Sequence, residues 1–320
     1  MERRRVGAAG PEVTVIGLGT NNFGSRMDWP AVSETVAAAL AVGINLFDTA
    51  ASYGQGESER RLGRALRGRR EQAVIATKFG WPAGRGPNPH PGSPAELRRS
   101  AEASLERLGV EQIDLLQIHF PDPNTPIAET LGGLQELVAE GKVAHIGSSN
   151  FTPTQIEDGA KVATDRGLAA FISSQEEYSL LQRDIERETI PLLARLGLGL
   201  LPYFPLASGM LTGKYRWGEP APAGSRLDRP EADPRLRDRP TFEILEAVAD
   251  FADTRGASML EVAIGFLLRQ PVVSSVIAGA TSPDQVRANV AAAGWRPSSD
   301  DLVELDRITA RVPDRGSASE

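Results

Sequence analysis

Strand-like and helix-like segments alternate along this whole chain, and that alternation constrains its fold more than any other feature. Apolar runs ending in turn residues lie at 12–20, 44–49, 73–79, 113–120, 143–150, 171–175, 198–205 and 272–279. Helix-like segments follow them at 30–43, 58–68, 93–109, 126–141, 152–167 and 188–197, twice within 241–269, and at 282–294 and 298–312. Ser93 and Pro94 read as the N-cap and first residue of one helix, and Gly109 as its stop. The strand segments are apolar on both faces, as parallel strands covered by helices must be. A Rossmann sheet would show five or six strands and a second domain; the glycines of "GLGTNN" (17–22) lack the third member of that fingerprint and open no helix. The pattern predicts an α/β protein, a TIM (β/α)8 barrel, as one domain over residues 1–320. It adds an N-terminal β-hairpin, extra helices after the seventh strand and at the C-terminus, and a flexible polar tail at 313–320.

Barrel enzymes gather their chemistry at the C-terminal ends of the strands. The loops fit that polarity: helix-to-strand links such as "GK" and "LG" are short, whereas the long irregular stretches 80–92 and 216–240 follow strands. Loops this long are uncommon unless functional or disordered. A formal net charge of −7 argues against a nucleic-acid or anionic-membrane binder. Cysteine is absent, which removes disulfides and thiolate chemistry. The opening "MERRRVGAAG" has basic residues without the apolar centre of a signal peptide, and no long apolar run marks a membrane span. The expectation is a cytoplasmic protein that acts on a small molecule.

Four chemically distinct side chains sit at the ends of three consecutive strands. Asp48 closes the second strand and Tyr53 follows in a turn of small residues; Lys78 ends the third strand and His119 the fourth. Singly, each has an ordinary role as a rim charge, a turn former or a core group. Neighbouring strands lie about 4.8 Å apart, so together they converge on one volume. Tyrosine is a poor proton donor at its usual pKa of about 10, and a nearby Lys78 is expected to lower it. Asp48 would keep Lys78 charged and in place. His119 would polarise a carbonyl oxygen by hydrogen bonding. Such a set protonates a developing alkoxide. It includes no nucleophile and no metal cluster, so the carbonyl carbon must receive a hydride from a cofactor.

The motifs "GINLFDTAASYGQGESERRLGRAL", "VIATKFG", "IDLLQIHFPDPNTPIAETLGGLQELVAEGKVAHIGSSN" and "YFPLASGMLTGKY" resemble the aldo-keto reductases, in the family's order and spacing and over nearly the whole chain. The resemblance implies a TIM barrel, reversible NADPH-dependent reduction of aldehydes and ketones, and a catalytic tetrad on Asp48, Tyr53, Lys78 and His119. It places the nicotinamide carboxamide on Ser149, Asn150 and Gln175, and stacks the ring on Tyr203. Thr20 and Asn21 line the same mouth, with Asp48 at its floor. Phe204, Pro205, Leu206 and Ser208 offer backbone groups to the pyrophosphate with Lys214, and Arg226 closes over it.

The adenosine end falls on "GATSPDQVRAN", through Gly279, Thr281, Gln285 and Asn289. Ser282 and Pro283 read as a helix start, where phosphate is favoured. Several family members carry a cation where this chain has Gly279 and Gln285, and a Glu where it has Ala288. Only Arg226 or Arg287 is left to meet a 2′-phosphate, so NADH stands as the alternative cofactor. Asn22, Phe23, Trp81 and Phe120 follow strand ends and are the expected substrate-pocket walls. Two other functions fit the same barrel: a cofactor-bound regulatory or interaction subunit, the way some members of the resembled family serve ion channels, and an NAD-linked sugar or polyol dehydrogenase.

Overall fold

The computed structural model describes residues 1–81, 89–228 and 238–310, and among these residues it has ten strands and ten α-helices. The chain opens with an antiparallel hairpin, β1 (Arg3–Arg5) and β2 (Glu12–Thr14). Eight parallel strands follow: β3 (Ile16–Gly19), β4 (Leu46–Asp48), β5 (Val74–Phe79), β6 (Ile113–Ile118), β7 (Val143–Ser149), β8 (Phe171–Gln175), β9 (Gly199–Leu200) and β10 (Val276–Gly279). They pair in the order β10-β3-β4-β5-β6-β7-β8-β9. The ends of that sheet meet. Leu200 N–H donates to the Val272 carbonyl at 2.7 Å, Ser274 N–H to that of Leu200 at 2.9 Å, and Ile277 N–H to that of Pro202 at 2.9 Å. The result is the TIM barrel expected from the strand count.

Two strand segments differ from their sequence limits. The run 12–20 divides at Val15: its first half pairs with β1 and its second half enters the barrel. The run 198–205 shrinks to β9, because Pro202 has no N–H to offer a neighbour. The pairing continues as single bonds, Leu201 N–H to Ser174 O and Tyr203 N–H to Glu176 O, each 3.0 Å. The polar tail expected at 313–320 lies outside the described residues, as do parts of both long loops.

Helices α1 (Trp29–Ala41), α2 (Glu57–Ala65), α3 (Pro94–Leu108), α4 (Ile127–Ala139), α5 (Pro153–Arg166) and α6 (Thr189–Leu196) cover the early strands. After β9 come α7 (Arg239–Thr254) and α8 (Met259–Leu268), and after β10 come α9 (Pro283–Ala292) and α10 (Ser299–Thr309). α3 buries Leu97, Ala101, Ser104 and Leu108, one stripe at helical spacing. Pro94 does open it, but the Ser93 hydroxyl donates to the His90 carbonyl at 2.9 Å instead of capping the helix.

The hairpin seals the bottom of the barrel. Val6 and Val13 join Leu46, Ala76, Leu115, Leu201 and Ile277 in an interior apolar cluster. Arg4 locks the hairpin to the far end of the chain, donating to the carbonyls of Val273 at 2.8 Å and Leu268 at 3.0 Å. Side chains two residues apart share a face of a strand. One step above Leu46, Ala76 and Leu115 therefore stand Asp48, Lys78 and Gln117, all buried. At β7–β8 a bulge intervenes: Ile146 pairs with Phe171 but Gly147 pairs with Ser173. That extra residue brings Gln175 onto the same polar layer.

Close packing at one helix contact makes a testable difference between two glycines. A Cβ on Gly63 of α2 would stand 2.1 Å from the Leu108 carbonyl oxygen at the end of α3, whereas one on Gly132 of α4 would meet nothing within 4 Å. Gly63→Ala is expected to destabilise the fold by about 2 kcal/mol or more, and Gly132→Ala to stabilise it by about 0.5–1 kcal/mol. Denaturant titration of the two variants measures both signs.

Candidate active site

Lys78 and Asp48 form the centre of the polar layer. The ammonium donates to Asp48 Oδ2 at 2.6 Å and to the Thr49 carbonyl at 2.9 Å, with both side chains almost wholly buried. Its third donor direction reaches the Tyr53 hydroxyl at 3.5 Å. The other carboxylate oxygen of Asp48 accepts from Gln175 Nε2 at 2.8 Å and Gln117 Nε2 at 3.4 Å. Residues from β4, β5, β6 and β8 thus meet on one carboxylate.

Tyr53 is folded back over the strand ends by its loop. Ala51 N–H donates to the Lys78 carbonyl at 3.1 Å and Tyr53 N–H to that of Ala50 at 3.1 Å. The next residue, Gly54, has φ +57° and lies so close to Gly24 that a Cβ there would meet the Gly24 Cα at 2.6 Å. Only glycine serves at that crossing.

The electrostatics correct one expectation. Burial raises the Tyr53 pKa above 10, and although Lys78 opposes this, the net direction is up. Tyr53 therefore keeps its proton throughout the neutral range. Burial pulls the Lys78 pKa down, but Asp48 and then Tyr53 outweigh it, so the ammonium stays charged. Burial, with a smaller push from Lys78, lowers His119 to about 3. Its imidazole is neutral at physiological pH and retains one N–H for hydrogen bonding.

His119 continues the pairing of β6, its N–H donating to the Phe79 carbonyl at 2.8 Å. Its ring stacks on Phe120 at 4.7 Å and meets Tyr53 edge-on at 5.9 Å. Ser52 Oγ lies 3.5 Å from Nδ1. Asn150 fastens the loop from the other side: its Nδ2 donates to the His119 carbonyl at 2.9 Å, and its Oδ1 accepts from the Tyr203 hydroxyl at 2.7 Å.

A cleft of about 1120 Å³ opens above this layer. It is lined by Thr20, Asn21, Asn22, Asp48, Tyr53, His119 and Phe120, then by Ser149, Asn150, Gln175 and Tyr203. It continues past Phe204, Pro205, Leu206, Ser208, Lys214 and Arg226 to Gly279, Thr281, Gln285 and Asn289. Lys78 lies just beneath it, fully buried. Two expected pocket walls are placed elsewhere: Phe23 is fully buried in the hydrophobic core, and Trp81 is an exposed aromatic that is not among the cleft-lining residues.

The far half of the cleft suits a dinucleotide. Phe204, Ala207 and Ser208 all have left-handed backbone, which turns this stretch sharply around the cleft wall. Two cations, Lys214 and Arg226, line that wall, and the Arg226 guanidinium sits 5.3 Å above the Phe204 ring. Ser282 caps α9, accepting from Gln285 N–H at 3.3 Å, so a helix N-terminus stands at the end of the cleft lined by Gly279 and Thr281. There the Gln285 side chain turns back, its Oε1 accepting from Thr281 N–H at 2.8 Å, and Arg287 pairs with Asp284 at 2.8 Å. The donor set fits a doubly charged pyrophosphate.

Residues 15–310 match the model of the aldo/keto reductase family. The chain belongs to the aldo/keto reductase family. It is 35% identical to the aldo-keto reductase YhdN of Bacillus subtilis, with 96% of this chain and 93% of that protein aligned. It is 33% identical to a probable voltage-gated potassium channel subunit beta of rice, over 100% of this chain and 99% of that protein. It is 31% identical to an L-glyceraldehyde 3-phosphate reductase of Escherichia coli strain K12, over 97% and 93%.

As an aldo/keto reductase, the protein is an NAD(P)H-dependent oxidoreductase acting on carbonyl groups. Sequence reasoning missed three groups at this site. Gln117 sits in an apolar run and carries no signal of its own, although its period-two spacing from Leu115 could have placed it beside Lys78. Ser52 is one of the small residues in the Tyr53 turn and Glu176 an acidic residue after a strand, and neither has a signal of its own in the sequence.

Two predictions follow from the site's electrostatics. Asp48→Asn leaves the Lys78 ammonium buried without its counter-charge and is expected to cost about 3–5 kcal/mol of stability, whereas Asp48→Leu with Lys78→Met recovers most of it. Urea unfolding of the single and double variants measures the difference. His119 binds a proton in the unfolded chain below about pH 6.5 but in the fold only near 3, so stability is lost as pH falls through that window. Comparing wild type with His119→Gln at pH 4 and pH 7 should show a smaller acid loss in the variant.

Proposed function

We propose that this protein reduces an aldehyde or ketone to an alcohol with NADPH, reversibly, and that Tyr53 supplies the proton. The observation carrying this reading is the 3.5 Å approach of a buried, charge-neutralised Lys78 to the Tyr53 hydroxyl, beside a neutral His119 at the mouth of a dinucleotide-sized cleft. When bound, the cofactor supplies the hydride that the carbonyl carbon accepts. His119 donates its N–H to the carbonyl oxygen and draws charge toward it. Tyr53 gives its proton to that oxygen as the carbon–oxygen double bond becomes single. The phenolate so formed is stabilised by Lys78, which Asp48 holds in place.

Ser149, Asn150 and Gln175 would hold the carboxamide, and Tyr203 would stack on the nicotinamide ring. Thr20 and Asn21 would line the mouth. Phe204, Pro205, Leu206 and Ser208, with Lys214 and Arg226, would hold the pyrophosphate. Gly279, Thr281, Gln285 and Asn289 would take the adenosine. Asn22 and Phe120, which face the cleft beside His119, are the substrate walls this geometry favours. Arg226 on the cleft wall, or Arg287, which pairs with Asp284, would have to meet a 2′-phosphate, so NADH is the alternative cofactor and an NAD-linked sugar or polyol dehydrogenase the alternative reaction. We take a cytoplasmic setting as the default; no described helix is long and apolar enough to cross a membrane.

A second reading, a cofactor-bound regulatory subunit, is supported by the printed names of the rice and Arabidopsis relatives, each a probable voltage-gated potassium channel subunit beta. The intact tetrad favours catalysis. The test follows oxidation of NADPH and of NADH across a panel of aldehydes and ketones, in wild type and Tyr53→Phe. Tyr53→Phe is expected to lower kcat by about 10²–10⁴-fold while still binding cofactor. Full activity in that variant would end the proposed mechanism, and cofactor binding without turnover in wild type would favour the regulatory role.

A further inference from the structure

The loop that carries Tyr53 is closed at its neck by a cluster of three hydroxyls. It runs from Thr49, just past β4, to Ser58 in the first turn of α2. Thr49, Ser58 and Thr20, which follows β3, are all fully buried. Ser58 Oγ lies 2.9 Å from Thr49 Oγ1 and 2.9 Å from Thr20 Oγ1, and it donates to the Thr20 carbonyl at 2.9 Å. Thr20 Oγ1 in turn donates to the Asp48 carbonyl at 2.9 Å. With those two protons placed, the Thr49 hydroxyl is the donor to Ser58. One serine hydroxyl therefore joins the two ends of the loop to each other and to the neighbouring strand end.

Each contact of Ser58 leads to the approach between Tyr53 and Lys78. Its N–H donates to the Tyr53 carbonyl at 3.2 Å. Thr49 offers the carbonyl that receives the Lys78 ammonium at 2.9 Å. Thr20 is bonded through its N–H and its hydroxyl to the carbonyl of Asp48, the residue that neutralises Lys78. The path of this loop also needs holding. Gly54, Gln55 and Gly56 have φ of +57°, +55° and +84°, three left-handed residues in a row directly after Tyr53. A glutamine has no special tolerance for that region, so the chain does not follow this path by its own preference.

We infer that Ser58 is a positioning residue for the proton donor: its hydroxyl closes the neck of the Tyr53 loop and so sets the phenol against Lys78. This role rests on the reading of Tyr53 as that donor. Ser58 is not among the cleft-lining residues, so it acts only through the groups it holds.

Three measurements test this: amide hydrogen exchange over residues 50–58 in the cofactor-free protein, NADPH affinity by fluorescence titration, and kcat with an aldehyde of the panel. Ser58→Ala is expected to speed exchange about tenfold or more and to lower kcat about tenfold, with the cofactor Kd within about threefold of wild type. In a Tyr53→Phe background the same substitution is expected to change kcat by less than about twofold, because the group it positions is gone. Should Ser58→Ala fail to fold, Thr49→Val removes the same bond, and Thr49→Ser, which keeps the hydroxyl, is expected to recover most of the lost kcat. Unchanged exchange or unchanged kcat in a folded variant lacking the bond would overturn the inference. So would a loss of about tenfold that persists in the Tyr53→Phe background. If wild type reduces no carbonyl, the reading of Tyr53 fails, while the exchange measurement still decides whether Ser58 closes the neck.

Discussion

A buried ammonium–carboxylate pair sets the terms for the rest of this structure. Lys78 and Asp48 are both nearly inaccessible and stand 2.6 Å apart in the interior of a barrel. Removing two charges from water costs several kcal/mol each, and the pair survives only because every remaining donor and acceptor is used. Thr49 takes one ammonium proton, Tyr53 faces another, and Gln117 and Gln175 satisfy the second carboxylate oxygen. Four strands are thus tied to one carboxylate, and the phenol above it has a fixed cation behind it.

The same arrangement explains why chemistry sits at one end of the barrel. Period-two alternation stacks Asp48, Lys78 and Gln117 directly above Leu46, Ala76 and Leu115, so the interior passes from apolar to ionic in a single step. Below that step the hairpin closes the barrel with Val6 and Val13; above it the cleft opens. The low-dielectric floor strengthens each charge interaction in the layer above it. Burial also keeps the His119 imidazole neutral at physiological pH, which leaves it one N–H for hydrogen bonding.

Much of this was legible in the sequence. Eight strand–helix units pointed to the barrel, and the four tetrad side chains, read at strand ends, do converge. What escaped depends on contacts between distant segments. The division of 12–20 at Val15 needs the partner strand β1, which a pattern of apolar residues cannot supply. The bulge at Ile172 shifts a register that alternation alone would have kept regular. Lys78 was expected to lower the Tyr53 pKa, but charge proximity can be guessed from strand order whereas burial cannot, and burial is the larger effect. Phe23 was expected at the pocket wall, yet the turn after β3 directs it into the core.

The closure of the barrel joins segments far apart in the chain. β3 pairs with β10, and Arg4 holds carbonyls at Leu268 and Val273. During synthesis, then, the first barrel strand must wait for its outer neighbour until residue 276 has emerged, roughly tens of seconds at ribosomal rates. Over that interval an apolar edge is open to other chains. A barrel closed by pairing its first barrel strand with its last keeps that edge open to aggregation until the last strand arrives.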